Sequence, residues 1–371
     1  MEKDYFYGAF SMKKRYIFPT MSLYSHNQLS SLTFQEFPYT IDIIAENLYI
    51  PWAIALSPDD HIYFTERNGN VRKIQNGKLL TEPLIALPSP FISQGEGGLM
   101  GITLDPAFAQ NNYLYILHTY IENNELFNRV IRLVEQNNKA TIDQIIIDKI
   151  PGGRIHNGGR IKIGPDLKLY ITTGDTGNSS LAQDLSSNAG KILRINLDGS
   201  IPEDNPFMNS PIYSYGHRNP QGLTWSDKGI LYSTEHGQSA HDEINIILPG
   251  ANYGWPLVEG YDVLSDFQTQ RPLIQSGNVT WAPSGITFIN QGSWKGNLLV
   301  ACLRGEQLLS VTLNENGTSV TKIEQWLQSE YGRLREVMQW DDGSIYVTTS
   351  NRDGRGNIHS GDDKILRLIP K

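Results

Sequence analysis

At 371 residues, with 31 Lys and Arg against 39 Asp and Glu and a formal charge of -8, the chain is too acidic for a nucleic-acid partner, which needs dense positive surface. Its single cysteine, Cys302, excludes an internal disulfide and a cysteine metal pair and fits a small core residue. No apolar run approaches the roughly 18 residues that span a bilayer, so a soluble globular chain without a membrane span is expected.

In chain order, residues 1–38 read as an N-terminal extension. Met12-Lys13-Lys14-Arg15 followed by Tyr16 to Tyr24 has the basic and apolar character of a secretory signal, but Pro19, Thr20 and Ser22 interrupt it, and a loosely ordered extension fits better. From 39 to 371 one phrase recurs: an apolar strand, a polar turn, then a second strand rich in Tyr, Ile and Thr. It runs through Ala53-Ile54-Ala55-Leu56 with Ile62-Tyr63-Phe64-Thr65, Gly101-Ile102-Thr103-Leu104 with Tyr113-Leu114-Tyr115-Ile116, and Arg160-Ile161-Lys162-Ile163 with Leu169-Tyr170-Ile171-Thr172. It returns in Gly222-Leu223-Thr224-Trp225, Gly285-Ile286-Thr287-Phe288 and Glu336-Val337-Met338-Gln339, each with its own second strand. Alternation bounded by Pro-Asp, Asp-Gly and Asn-Gly turns is a strand and hairpin signal. Six units, with helix signals nearly absent and no Pro/Ser-rich linker, predict an all-β, six-bladed β-propeller in a single domain rather than two β-sandwiches.

Propellers carry function on loops around one mouth of the channel, and the unusual residues fall there. His156 precedes blade three and Asp175 follows its second strand; a carboxylate on one imidazole nitrogen fixes the tautomer and makes the other a base, although the same pair serves equally well as a structural hydrogen bond. Arg218, Arg304, Arg333 and Arg335 lie at blade mouths, and arginines converging on the axis would call for a polycarboxylate between them; singly, each reads as a surface ion pair. Glu235-His236-Gly237-Gln238 with Asp242 and Glu243 offers the oxygens that Ca²⁺ prefers, without EF-hand spacing. Trp52, Trp225, Trp255 and Trp281 read as core aromatics, with Trp281 the one placed to reach the mouth and cover a sugar ring.

Gly95-Glu96-Gly97-Gly98-Leu99, His156-Asn157-Gly158-Gly159-Arg160, Gly216 to Gly222, Asp242-Glu243-Ile244-Asn245, Asn252 to Pro256 and Arg333-Leu334-Arg335-Glu336-Val337 together resemble the soluble glucose/sorbosone dehydrogenase family, which includes aldose dehydrogenases that use pyrroloquinoline quinone (PQQ). The resemblance implies a six-bladed propeller that oxidises aldoses to lactones with PQQ and Ca²⁺ and passes electrons to an external acceptor outside the cytoplasm. It implies His156 as general base, Asp175 as its orienting carboxylate, and Glu96, Arg218, Asn219, Arg304, Arg333 and Arg335 at the cofactor, with Arg218 also stabilising the developing oxyanion. For metal it implies main-chain oxygens of Gly237 and Gln238 at the catalytic Ca²⁺, and Glu243, Tyr253, Glu259 and Tyr261 at a second, structural one. Ile155 departs from relatives with an acid before the histidine, and Gln238 from those with proline. A Ca²⁺-dependent lactonase and a non-catalytic binding propeller are the alternatives.

Overall fold

In a computed structural model, which describes residues 36–371, the repeats become six antiparallel sheets of consecutive strands. The inner strands are Pro51–Leu56, Leu99–Leu104, Ile161–Ile163, Pro220–Trp225, Pro283–Phe288 and Leu334–Gln339. Each packs against the inner strand of the next blade, and the sixth packs against the first, closing the ring. The predicted N-terminal extension lies outside the described residues except for its last three. Among the described residues, helix is confined to Phe108–Asn111 and one 3₁₀ turn, Ser179–Ala182, and no helix is long and apolar enough to cross a membrane.

The second strands explain the Tyr/Ile/Thr phrase. Ile62–Glu66, Leu169–Thr173, Leu231–Glu235, Asn297–Cys302 and Ile345–Thr349 are buried at every position, because each is covered on both faces by neighbouring blades. β-branched and aromatic residues fill that space, and the core is a set of apolar layers between blades.

Closure depends on the N-terminal strand. Tyr39–Ala45 pairs antiparallel with Ile365–Pro370 and forms the outer edge of the sixth sheet. Tyr39 and Phe37 anchor it against Trp294. The two ends of the described chain thus share one blade, which hydrogen-bonds the ring shut.

Tight contact at the axis explains two glycines. A Cβ on Gly222 would strike the Ser284 carbonyl, and one on Gly285 would strike the Glu336 carboxyl. The repeat places Arg160 and Glu336 at the equivalent positions of blades three and six, and their side chains, both about 1% exposed, form an ion pair across the axis. The Arg160 guanidinium carbon lies 4.4 Å from the ring of Trp52.

Candidate active site

The segment that enters blade three turns through His156, whose backbone is left-handed at φ 53°. Glu96 Oε2 holds this turn by accepting the His156 N–H at 2.9 Å. The antiparallel pairing of Ile161–Ile163 with Leu169–Thr173 carries Asp175 back beside it, and His156 Nδ1 lies 2.7 Å from Asp175 Oδ1. Burial pushes the Asp175 carboxyl up, but hydrogen bonds from His156 and the Gly177 N–H outweigh it and leave it below its ordinary value. An ionised Asp175 fixes the proton on Nδ1 and leaves Nε2 as the basic nitrogen. The Trp255 indole N–H donates to the other Asp175 oxygen at 2.9 Å.

Trp255 therefore corrects the core assignment made from sequence: it is half-buried, bonded to Asp175, and its ring lies 5.4 Å from the Arg218 guanidinium carbon. Trp281 is buried among blade-four and blade-five apolar residues, so it does not reach the mouth. Arg218 donates to the His236 carbonyl at 3.3 Å, and among the described residues no carboxylate pairs with its guanidinium. Asn219, 1% exposed, accepts the Gly158 N–H at 3.0 Å and ties the His156 loop to blade four.

Next to this pair lies a cavity in which four guanidiniums, from Arg67, Arg333, Arg335 and Arg355, face only two carboxylates, Glu96 and Asp353. Arg333 and Arg335 leave one strand on one face, as their i, i+2 spacing requires, and share Asp353 Oδ2 at 2.8 and 3.5 Å. Burial depresses the Arg335 guanidinium to about 9, Asp353 opposes the drop, and Arg67 and Arg333 add to it. The buried Nε of Arg67 and Nε2 of His236 have no partner among the described residues. Unsatisfied buried donors beside excess positive charge are costly unless an anionic acceptor fills the space, so the lining fits a polycarboxylate. Arg304 is not brought into this wall: it is exposed in the turn after Asn297–Cys302, and its neighbour Leu303 lines the cavity instead.

The calcium candidates form two groups. In the loop after Leu231–Glu235, the Gly237 N–H bonds Asp242 at 3.0 Å and the Gln238 N–H bonds Glu259 at 2.6 Å, while no described donor reaches either carbonyl. Behind them, burial, with Glu235 and Glu259 nearby, pushes the Glu243 carboxyl up to about 8. Asn245 donates to Glu243 at 3.0 Å, and the buried Asn245 side-chain oxygen has no partner among the described residues. Mutually repelling carboxylates beside an orphaned amide oxygen suit a hard cation. The Tyr253 hydroxyl is taken by the Ile246 carbonyl at 2.6 Å and the Tyr261 side chain is exposed, so these two residues would offer only main-chain oxygen. Among the described residues no group of three His, Cys, Asp or Glu side chains is set to hold a metal alone; main-chain oxygens would have to complete either site.

The sequence profile described as Glucose / Sorbosone dehydrogenase matches residues 48–366. The chain belongs to the glucose/sorbosone dehydrogenase family. Among its relatives, the aldose sugar dehydrogenase of Escherichia coli is 31% identical over 342 residues, covering 85% of this chain and 91% of that protein. Quinoprotein glucose dehydrogenase B of Acinetobacter calcoaceticus is 33% identical over 318 residues, covering 74% and 66%. The PQQ-bound aldose sugar dehydrogenase of Streptomyces coelicolor superposes with a TM-score of 0.82 at 37% identity, over 90% of this chain and 98% of that one. Within this family's scaffold, reading the sequence missed Arg67 and Asp353, and named His236 within the calcium loop without placing it in the cavity wall. A signal for them existed: each closely follows a blade's second strand, as Asp175 does.

Proposed function

We propose that the protein is a PQQ- and Ca²⁺-dependent aldose dehydrogenase of glucose type that oxidises the anomeric carbon to a lactone. The observation that carries this reading is the arginine-rich cavity placed beside a histidine whose tautomer Asp175 fixes. Arg333, Arg335 and Arg67 would hold the cofactor's carboxylates, with Glu96, Arg218, Asn219 and, from the rim, Arg304 around it. The carbonyls of Gly237 and Gln238 would bind the catalytic Ca²⁺, and Glu243, Glu259, Tyr253 and Tyr261 the second. PQQ, when bound, supplies the two-electron hydride acceptor, and Ca²⁺ supplies Lewis acidity at it. His156 Nε2 takes the proton of the anomeric hydroxyl, Asp175 stabilises the imidazolium, and the unpaired Arg218 guanidinium answers negative charge developing next to it. Electrons then pass to an external acceptor, and an extracytoplasmic location follows the same reading.

A lactonase would centre carboxylates and amides on its metal, and four guanidiniums would have no part in that chemistry. A non-catalytic binding propeller would use the His156–Asp175 pair only as a structural hydrogen bond, and sugar-dependent turnover separates it from the enzyme reading. The test is to mix apo-protein with PQQ and Ca²⁺ and follow dye reduction with a panel of aldoses. Sugar-dependent reduction, lost on chelation and restored by Ca²⁺, is expected; no reduction and no shift in quinone absorbance would overturn the reading. Asp175→Asn is expected to lower kcat about 100-fold with little change in PQQ affinity, since it leaves the cavity intact but releases the tautomer; a kcat within threefold of wild type would remove Asp175 from the mechanism.

A further inference from the structure

We propose that Arg355 is the charge partner that makes Glu96 compatible with an anionic cofactor, the two acting as one neutral unit in the cavity wall; this rests on the PQQ reading above. Glu96 has a fixed task, because its Oε2 holds the backbone N–H of His156 in a left-handed turn. That task needs an acceptor oxygen at this point, and here the acceptor belongs to a carboxylate. Burial pushes the Glu96 carboxyl up, but the His156 N–H and the Arg355 guanidinium together leave it below its ordinary value, so it stays ionised. A negative charge therefore stands in the wall where a polycarboxylate would lie.

Arg355 cancels it from the cavity rim. Its side chain is 62% exposed, yet the guanidinium reaches Glu96 Oε1 at 2.7 Å. The turn that carries it is fixed by Asp353, whose Oδ1 accepts the Arg355 N–H at 2.9 Å while Oδ2 organises Arg333 and Arg335. One carboxylate thus positions both the arginines that would bind the anion and the arginine that screens Glu96. A guanidinium this exposed contributes little to packing, and its one ion pair points into the cavity. Like charges held close inside a poorly solvated cavity repel strongly, so without Arg355 the cavity would reject part of the anion's charge.

The experiment is a double-mutant cycle read by PQQ titration of the apo-protein in saturating Ca²⁺, following fluorescence quenching. Arg355→Met is expected to raise Kd by about 10- to 100-fold. Arg355→Lys, which keeps the charge, should stay within about threefold of wild type, whereas Glu96→Gln, which keeps the acceptor oxygen but leaves the Arg355 charge uncancelled, should bind PQQ more tightly than wild type, and weaker binding would overturn the proposal. The deciding result is the double variant E96Q/R355M, which should return to within about threefold of wild type, because no charge is left to compensate. If the double variant binds as weakly as R355M, Arg355 is a direct ligand of the anion and the compensation idea is overturned; R355M binding as tightly as wild type overturns it too. Wild type failing to bind PQQ at all overturns the functional reading and this proposal with it, whereas the other failures leave that reading intact.

Discussion

His156→Ala is expected to lower aldose turnover of the PQQ- and Ca²⁺-loaded protein by about 10²- to 10⁴-fold, the range a positioned general base contributes, while PQQ affinity changes by no more than a few-fold. The reasoning is geometric. The basic Nε2 is created by the 2.7 Å contact of Nδ1 with Asp175, and the cavity wall next to it is built from other residues, so deleting the imidazole removes the base and leaves the guanidiniums in place. Backbone strain is the confounding effect, because position 156 sits at φ 53°, where alanine is disfavoured and asparagine is tolerated. His156→Asn is the cleaner variant: it should keep the turn and the N–H to Glu96, and still lose turnover to the same extent. Steady-state dye reduction gives kcat and KM, and PQQ titration gives the affinity. A His156→Asn protein with near-native kcat would place the base elsewhere. Equal losses in kcat and in PQQ affinity would mean that the residue shapes the cavity instead.

The ring was legible because each blade repeats one pattern of burial, so six copies of an apolar strand with a Tyr/Ile/Thr partner could only be covered by one another. The closing role of Tyr39–Ala45 was not, since a strand that completes a sheet begun some three hundred residues later carries no local mark of its partner. At the site, His156 with Asp175 and Arg333 with Arg335 were readable because their proximity follows from hairpin pairing and i, i+2 spacing. Arg67, Asp353 and Arg355 depend on which loops meet across the mouth, and that is set by the closure of the whole ring. Trp255 looked like core because an indole's apolar area dominates any reading of sequence, whereas its placement is decided by one N–H directed at Asp175. Arg160 and Glu336 stand as charged exceptions in a column of small residues, Ala53, Gly101, Gly222 and Gly285, a mark that reading the sequence passed over; that the two face each other needed the ring.

Breaking that axial pair should give the largest loss of stability of any single change considered. Glu336→Ala is expected to destabilise the fold by about 3–5 kcal/mol, the cost of leaving a buried charge uncompensated. The Arg160 guanidinium is already strained for partners: Nε donates to the Gln221 carbonyl at 2.9 Å, Nη1 pairs with Glu336, and Nη2 has none among the described residues. Its plane rests 4.4 Å over Trp52, the ring that Arg335 also approaches at 5.5 Å. Burial holds the Lys162 ammonium, two residues along from Arg160, below its ordinary value, and Glu336 opposes that drop. Arg160→Met should therefore cost less than Glu336→Ala, because Lys162 still faces the remaining carboxylate. Replacing both at once, with Met and Leu, should recover most of the loss, since apolar groups of similar size often substitute for a buried ion pair without penalty. Chemical denaturation of the four proteins separates these cases. A Glu336→Ala variant within 1 kcal/mol of wild type, or a double variant as unstable as the worse single one, would show that the axis is held by inner-strand packing alone. Because Trp52 joins the axial pair to Arg335, the same Glu336→Ala protein should also bind PQQ more weakly, which would link the axial pair to the proposed anion site.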